Sequence, residues 1–189
     1  MTDWVSHPQI CRAAEMLKQH AVVAYPTESV WGLGCDPQSA SAVEKILQLK
    51  QRNVDKGLIL IADCIERFDP FLSDLDEELL RRFREPTAKP TTWLVPNNVT
   101  APLWITGGRD TLALRVTQHP VAAALCKLVG GPLVSTSANP QGLPAAKSAS
   151  QVESYFGAAI DLQVSGQVGG SAKPSEIRYL ISGDVVREG

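Results

Sequence analysis

Hydrophobic positions along the chain follow two spacings, one typical of amphipathic helices and one typical of buried strands. Apolar residues three or four positions apart predict helices, and Ser-x-x-Glu or Ser-x-x-Gln marks the start of several of them. We expect N-caps at Ser6, Ser41 and Ser150, a helix over about residues 74–83, and another from Pro120. Continuous apolar or β-branched runs predict strands at residues 21–25, 30–35, 58–62, 91–95, 111–116, 133–137, 160–164, 177–181 and 185–187.

The order of these segments predicts one α/β domain over residues 1–189. Helices and strands alternate throughout, without a repeat or a change in composition that would mark a boundary. Some strands are separated by a helix, which allows a parallel crossover, whereas short turns such as Ser182-Gly183-Asp184 favour antiparallel pairing. We therefore predict a twisted mixed sheet flanked by helices.

The composition is that of an ordinary folded protein and excludes several classes. Of 189 residues, 44% are hydrophobic and 20% are charged, and the net charge of −2 argues against a surface that binds nucleic acid over its whole extent. A local basic groove remains compatible with this charge. No apolar run approaches the ~20 residues that cross a bilayer, and the N-terminal residues do not resemble a signal peptide. We therefore expect a cytoplasmic protein without membrane contact.

Fingerprints of common nucleotide sites, hydrolases and metal centres are absent. Gly32-Leu33-Gly34 lacks the third glycine of a dinucleotide-binding turn, and residues 166–173 lack the spacing of a P-loop. No Gly-x-Ser-x-Gly elbow occurs. The four cysteines are far apart and the three histidines are isolated, so we predict reduced thiols and no metal site.

A basic loop between a predicted helix and a predicted buried strand is the first candidate for chemistry. Lys50, Arg52 and Lys56 place three cations within seven positions. Anchored at both ends, such a loop could hold its charges still for an anionic substrate. Alternatively, these are helix-end cations that offset the exposed carbonyl dipoles, each contributing ~0.3–1 kcal/mol.

Polar residues at the ends of predicted strands are the second candidate. Residues 27–29 and 135–139 supply hydroxyl and amide groups, and Arg115 interrupts an apolar strand. Hydroxyls and amides orient small substrates, whereas guanidinium groups bind carboxylate or phosphate. Two alternatives stay open: residues 135–139 could simply form a hydrogen-bonded turn, and Arg115 could reach solvent.

The motifs in order resemble the YrdC/TsaC family over nearly the whole chain, from about Ala13 to Gly189, in its short bacterial form. They are Tyr-Pro-Thr-Glu-x-Val-x-Gly-x-Gly-Cys-Asp, Lys-Gln-Arg-x-x-x-Lys-Gly, Leu-Arg-Val-Thr-x-His-Pro, Ser-Thr-Ser-Ala-Asn and Pro-Ser-Glu-Ile-Arg. The resemblance implies an α/β twisted sheet with a basic concave cavity. It also implies a threonylcarbamoyl-AMP synthase, a nucleotidyltransferase that makes threonylcarbamoyl-adenylate and pyrophosphate from L-threonine, bicarbonate and ATP.

The resemblance implies partners and site residues as well. A tRNA threonylcarbamoyl-transferase complex (TsaD, TsaB, TsaE) would pass the group to tRNAs that read ANN codons. Lys50 and Arg52 would be catalytic, and ATP would bring Mg²⁺ held largely by phosphates and water. The implied ATP contacts are Arg52, Lys56, Thr111, Ser137, Asn139 and Arg187, and the implied threonine contacts are Thr27 or Ser29 with Arg115, Ser135 and Ser175.

Two departures from the family pattern affect the expected cavity. Asn53 follows Arg52 where a proline is usual, so the loop lacks a rigid φ. Residues 87–92 keep only the last proline and threonine of the expected Trp-Pro-Gly-Pro-x-Thr, and Lys89 could substitute a charge for an aromatic wall. Two other functions therefore stay open: an RNA-binding module that uses the same basic cavity, and a nucleotide-binding regulator without catalysis.

Overall fold

The computed structural model describes residues 3–189 as one mixed sheet with helices packed on both faces; Met1 and Thr2, also within the predicted domain, lie outside the described residues. The strands are β1 Val23–Pro26, β2 Trp31–Gly34, β3 Ile59–Ala62, β4 Thr91–Pro96, β5 Thr111–Val116, β6 Leu133–Ser137, β7 Leu162–Gln163, β8 Glu176–Tyr179 and β9 Val185–Arg187. The helices are α1 Pro8–Lys18, α2 Ala40–Lys50, α3 Asp69–Leu72, α4 Glu77–Arg84, α5 Leu103–Thr106, α6 Pro120–Val129 and α7 Ala149–Phe156. None of the helices within residues 3–189 has the length and apolar character needed to cross a membrane.

The sheet runs in the order β7-β1-β2-β6-β3-β5-β4-β8-β9. The pairs β1/β7, β3/β5 and β4/β8 are parallel, and the other neighbouring pairs are antiparallel. The predicted mixed sheet flanked by helices is confirmed. Because β6 lies between β2 and β3, segments far apart in sequence meet along one edge of the central strands.

Successive side chains of a strand point to opposite faces of the sheet, so apolar strands contribute to a hydrophobic core on each face. In β3, for example, Leu60 packs into the core that includes α2 and α7, whereas Ile61 packs into the core that includes α1 and α6. Burying an aliphatic side chain of this size stabilises the fold by ~1.5–3 kcal/mol. The sheet is therefore held rigidly from both sides, and polar strand ends keep fixed relative positions.

The N-cap predictions at Ser6, Ser41 and Ser150 were wrong by one or two positions. Helix α1 is capped by His7, whereas Ser6 Oγ donates to Asp3 Oδ2 at 2.7 Å. Ser39 caps α2 and Ser148 caps α7, each accepting a backbone N–H three residues later. Serines lie two apart before both of these helices, and the tertiary path of the incoming chain decides which one has the extended backbone of a cap.

Several boundaries also differ from the sequence prediction. The strand predicted over 160–164 is reduced to Leu162–Gln163. The helix predicted from 74 begins at Glu77, because Asp76 is its N-cap and Asp76 Oδ1 accepts from Leu79 N at 2.9 Å. Helices α3 and α5, and the 3₁₀ turns Val54–Lys56, Ile65–Phe68 and Gly157–Ala159, were not predicted. Single turns are too short to display a helical period.

Candidate active site

A small polar cavity of about 210 Å³ opens where β2, β6 and β3 meet β5, β9 and the segment before β8. Residues 135 and 137 of β6 point to the same face of the sheet, as the strand period requires. Three arginines and no aspartate or glutamate line this cavity. Eight residues predicted from the sequence form part of its wall: Thr27, Ser29, Arg52, Arg115, Ser135, Ser137, Ser175 and Arg187.

Gly32 leaves space in the floor of this cavity. It pairs with Ser137 across the β2/β6 ladder. A Cβ at this position would lie 3.3 Å from Thr27 Cγ2 and 3.4 Å from Ser135 Oγ, closer than most van der Waals contacts. A glycine within a strand permits close backbone approach, and the sheet topology decides which groups approach Gly32.

Arg115 is the most constrained cation of the cavity. Its side chain is buried, with Nη1 donating to Ser175 Oγ at 3.1 Å and Nη2 lying 3.6 Å from Glu28 Oε2. Its Nε–H has no hydrogen-bond partner among residues 3–189. An unsatisfied buried donor costs ~1–3 kcal/mol or more, so an anion that accepted this hydrogen would be favoured. Arg115 does not reach solvent, contrary to the surface alternative.

Ser175 connects Arg115 to a second arginine. Arg187 Nη2 donates to Ser175 O at 2.7 Å, and Thr92 Oγ1 lies 2.8 Å from Ser175 Oγ. Burial and the charge of Arg115 lower the pKa of Arg187, which nevertheless remains protonated at neutral pH. Two guanidinium groups are therefore held near each other through one serine, an arrangement that favours anion binding.

Arg52 extends the basic character of the cavity toward the loop after α2. Its Nη2 donates to Gly57 O at 2.9 Å, and its Nε is buried without a partner among the described residues. Burial and the charge of Arg109 lower the pKa of Arg52. Within residues 3–189 no acidic side chain pairs with Arg52 or Arg109. An anion would therefore be attracted to both cations.

Arg109 was missed in the sequence interpretation, although its setting could have been noticed. Arg109 Nε donates to Asp55 O at 2.9 Å, which ties the turn before β5 to the basic loop. Gly107, at φ +64°, allows this packing because a Cβ there would lie 2.5 Å from Val54 O. The glycine pair before Arg109 was the available signal.

Asn53 replaces the usual proline without loosening the basic loop. Its φ of −67° is close to the value that a proline ring imposes. Asn53 also caps the 3₁₀ turn Val54–Lys56, because its Oδ1 accepts from Asp55 N at 3.0 Å. The loop therefore keeps a defined conformation by a hydrogen bond instead of a ring.

Lys50 lies behind the cavity wall and supports it. Its Nζ donates to Asn139 O at 2.9 Å, to Asn139 Oδ1 at 3.2 Å and to Ser137 O. Ser137 Oγ in turn donates to Asn139 Oδ1 at 2.7 Å. Burial and the neighbouring Arg52 lower the pKa of Lys50 to about 8. Four predicted residues are not brought into the wall of the cavity: Lys50, Lys56, Thr111 and Asn139.

The divergent 87–90 loop lines a neighbouring cavity of about 520 Å³ and does not line the first one. This second cavity includes Glu28, Phe83 and Trp93. Lys89 Nζ lies 3.7 Å from Glu176 Oε2 and 3.8 Å from Glu188 Oε2, so its charge is directed toward these carboxylates. The two cavities adjoin at the Glu28–Arg115 ion pair.

These features define an α/β protein with a small, arginine-lined cavity near the central strands of a mixed sheet. The family model of Sua5, YciO and YrdC proteins, described as "Telomere recombination", matches residues 15–189. The chain belongs to the Sua5/YciO/YrdC family, which confirms the resemblance found in its motifs.

Individual relatives give the same family. A threonylcarbamoyl-AMP synthase of Cellvibrio japonicus is 51% identical over 99% of both chains. A structure of P. abyssi Sua5, the variant H234A/Y235A, is 30% identical with a TM-score of 0.86 over 95% of this chain. P. abyssi Sua5 complexed with L-threonine is 31% identical with a TM-score of 0.84 over 92% of this chain. This chain spans about half the length of those Sua5 chains, 54% and 51%.

Proposed function

We propose that this protein is a threonylcarbamoyl-AMP synthase that joins L-threonine, bicarbonate and ATP. One observation carries the proposal: three arginines and no carboxylate line a single small cavity. The carboxylate of threonine, the carbamate and the triphosphate are all anionic groups, so they would repel one another without fixed cations. The 51% identical Cellvibrio relative, which bears this name, and the threonine-bound Sua5 neighbour support the same conclusion.

We assign the threonine carboxylate to Arg115, whose Nε has no partner within residues 3–189 and could donate to it. The hydroxyls of Thr27, Ser29, Ser135 and Ser175 would orient the rest of the amino acid. Arg52 and Arg187 would bind phosphates, with Ser137 beside them. The cavity, about 210 Å³, is below the ~300–1,000 Å³ of typical small-molecule sites, so the adenosine end would extend past its rim toward Thr111 and Lys56.

The proposed reaction has two bond-forming steps. The neutral amine of threonine attacks the carbon of bicarbonate, which forms an N–C bond and releases water. An oxygen of the resulting carbamate attacks the α-phosphorus of ATP, the bond to the bridging oxygen breaks, and pyrophosphate leaves with that electron pair. Fixed arginines stabilise the charge that develops at phosphorus, and Lys50 holds Ser137 in place. Mg²⁺ would enter as part of the ATP substrate.

We further propose that the product is consumed in the cytoplasm by the TsaD, TsaB and TsaE transferase complex for tRNAs that read ANN codons. RNA binding by the cavity itself is less well supported. Trp31 and Trp93 are buried and therefore offer no exposed platform for stacked bases. A regulator without catalysis would bind ATP yet release no pyrophosphate.

The direct test incubates purified protein with Mg-ATP, labelled bicarbonate and L-threonine. We expect pyrophosphate release that requires threonine, together with a labelled adenylate. ATP binding without threonine-dependent pyrophosphate would favour the regulatory alternative. Tight binding of tRNA without adenylate formation would favour the RNA-binding alternative.

A further inference from the structure

Glu28 belongs to the turn that carries Thr27 and Ser29, yet its side chain points away from the small cavity and lines the second one. Its Oε1 accepts from Thr117 Oγ1 at 2.6 Å and from Gln118 N at 3.1 Å. Its Oε2 lies 3.6 Å from Arg115 Nη2. One carboxylate therefore connects the β1–β2 turn to the end of β5.

The backbone of the same turn connects it to a third segment. Ser171 N donates to Glu28 O at 3.1 Å, and Gly169 N donates to Thr27 O at 2.9 Å. A Cβ on Gly169 would lie 2.9 Å from Glu28 O, so the glycine allows this close contact. The segment then leads to Ser175, which accepts from Arg115 Nη1 at 3.1 Å.

We propose that Glu28 is a positioning residue for threonine: it fixes the guanidinium of Arg115, a residue of the cavity wall, and leaves the unpartnered Nε available to the substrate. This inference rests on the proposed function, because it takes Arg115 as the ligand of the threonine carboxylate. Ser175 accepts a hydrogen bond from one terminal nitrogen and the Glu28 carboxylate lies 3.6 Å from the other, so both contacts restrict rotation of the group. The substrate carboxylate then meets donors that are already oriented, which lowers the entropic cost of binding.

The electrostatic setting agrees with this role. Burial alone would raise the pKa of Glu28, but Arg115 and the hydrogen bond from Thr117 lower it below its usual value. Glu28 is therefore ionised at neutral pH and can serve as the counter-ion of Arg115. Removing one partner of a buried ion pair leaves the other without compensation, and Arg115 would be free to turn toward other acceptors.

The decisive variant is Glu28→Gln, whose amide oxygen can still accept from Thr117 and Gln118 N but carries no charge. We expect the KM for L-threonine to rise about tenfold or more, whereas the KM for ATP stays within about twofold of wild type. Thr117→Val removes the 2.6 Å hydrogen bond but keeps the charge, and should raise the threonine KM by less. The matched control is Glu85→Gln, because Glu85 lines the same cavity and forms no side-chain hydrogen bond or ion pair within residues 3–189.

Three results would overturn the inference. An unchanged threonine KM in Glu28→Gln would show that Arg115 is oriented without Glu28. A lower threonine KM would show that Glu28 competes with the substrate for Arg115. Equal rises in both KM values, together with a lower melting temperature, would indicate general loss of structure.

A second measurement does not depend on catalysis. Reaction with phenylglyoxal, followed by peptide mass spectrometry, reports how freely each arginine reacts. We expect Arg115 to react slowly in the wild type and in Glu85→Gln, and several-fold faster in Glu28→Gln. Equal rates of Arg115 modification in all three proteins would show that Glu28 does not restrict the motion of Arg115. A wild type that releases no threonine-dependent pyrophosphate would instead refute the proposed function, and the labelling would still decide the role of Glu28.

Discussion

At the scale of single residues, the position of Arg52 separates it from an ordinary helix-end cation. Helix α2 ends at Lys50, and Gln51 at φ 52° is its C-cap, so Arg52 lies beyond the last turn. Its guanidinium instead bonds Gly57 O and lines the arginine-rich cavity. Lys50, in contrast, lies in the last turn of α2, where a cation offsets the helix dipole. Its ammonium group also donates to oxygens of Ser137 and Asn139.

Replacing Arg52 with alanine should remove a charge-assisted contact to phosphate. We expect kcat/KM to fall roughly ten- to a hundredfold, which corresponds to a loss of ~1.5–3 kcal/mol, with a nearly unchanged melting temperature. Steady-state pyrophosphate release provides the measurement.

The control for that variant is Lys127→Ala, which removes an exposed cation from the last turn of α6. It should leave kcat/KM unchanged and alter stability by only a few tenths of a kcal/mol. If Arg52→Ala behaved like Lys127→Ala, Arg52 would have no role in binding phosphate.

At the scale of elements, α2 matters for the site because its end delivers Lys50 and the basic loop to β6. The helix, its apolar face and its end at Lys50 were predictable from the spacing of Val43, Ile46 and Leu47. Its start was not, because Ser39 and Ser41 satisfy similar sequence rules. Only the path of the chain through residues 36–39 gives Ser39 the extended backbone that a cap requires.

This assignment predicts a difference between two neighbouring serines. Ser39→Ala should lower the free energy of unfolding by ~1 kcal/mol, because the backbone N–H of Ala42 loses its acceptor. Ser41→Ala, within the first turn, should change it by less than about 0.5 kcal/mol. Urea denaturation of both variants gives the comparison, and a larger effect at Ser41 would contradict the cap at Ser39.

At the scale of the whole molecule, His119 connects α6 to the segment that carries Ser175. Its Nε2 donates to Gln167 O at 3.0 Å, and its buried Nδ1 has no partner among residues 3–189. Burial lowers the pKa of His119 below its ordinary value of 6.5, although Gln167 O and Glu28 oppose the shift. The folded state therefore favours the neutral imidazole.

This pKa difference makes stability depend on pH in a defined direction. Between the ordinary pKa and the lowered one, the unfolded state binds more protons than the folded state, so stability is lost as the pH falls below ~6.5. Urea unfolding at pH values of about 7.5 and about 5.5 measures this loss.

The variant His119→Gln should reduce that pH dependence, whereas His20→Gln, at an exposed position, should preserve it. A wild-type protein equally stable at both pH values would show that His119 accepts a proton without cost.

The class of fold, most of the central strands and the residue types of the site could be predicted from the sequence alone. The apolar runs around Leu60, Leu114 and Val134 predicted buried strands, and the ordered motifs indicated the family. These features are local, because periodicity and motif spacing depend on neighbouring residues alone.

Which of those residues share a cavity depends on the order of the strands in the sheet and could not be predicted from local patterns. The placement of β6 between β2 and β3 brings Ser135 and Ser137 to Thr27 and Arg115, and places Lys50 behind them. The structure also revealed the roles of Glu28 and Arg109, whose contacts join segments that are distant in sequence. The physical reason is that the burial and pairing of a charge depend on residues from several strands and loops, which come together only when the whole sheet packs.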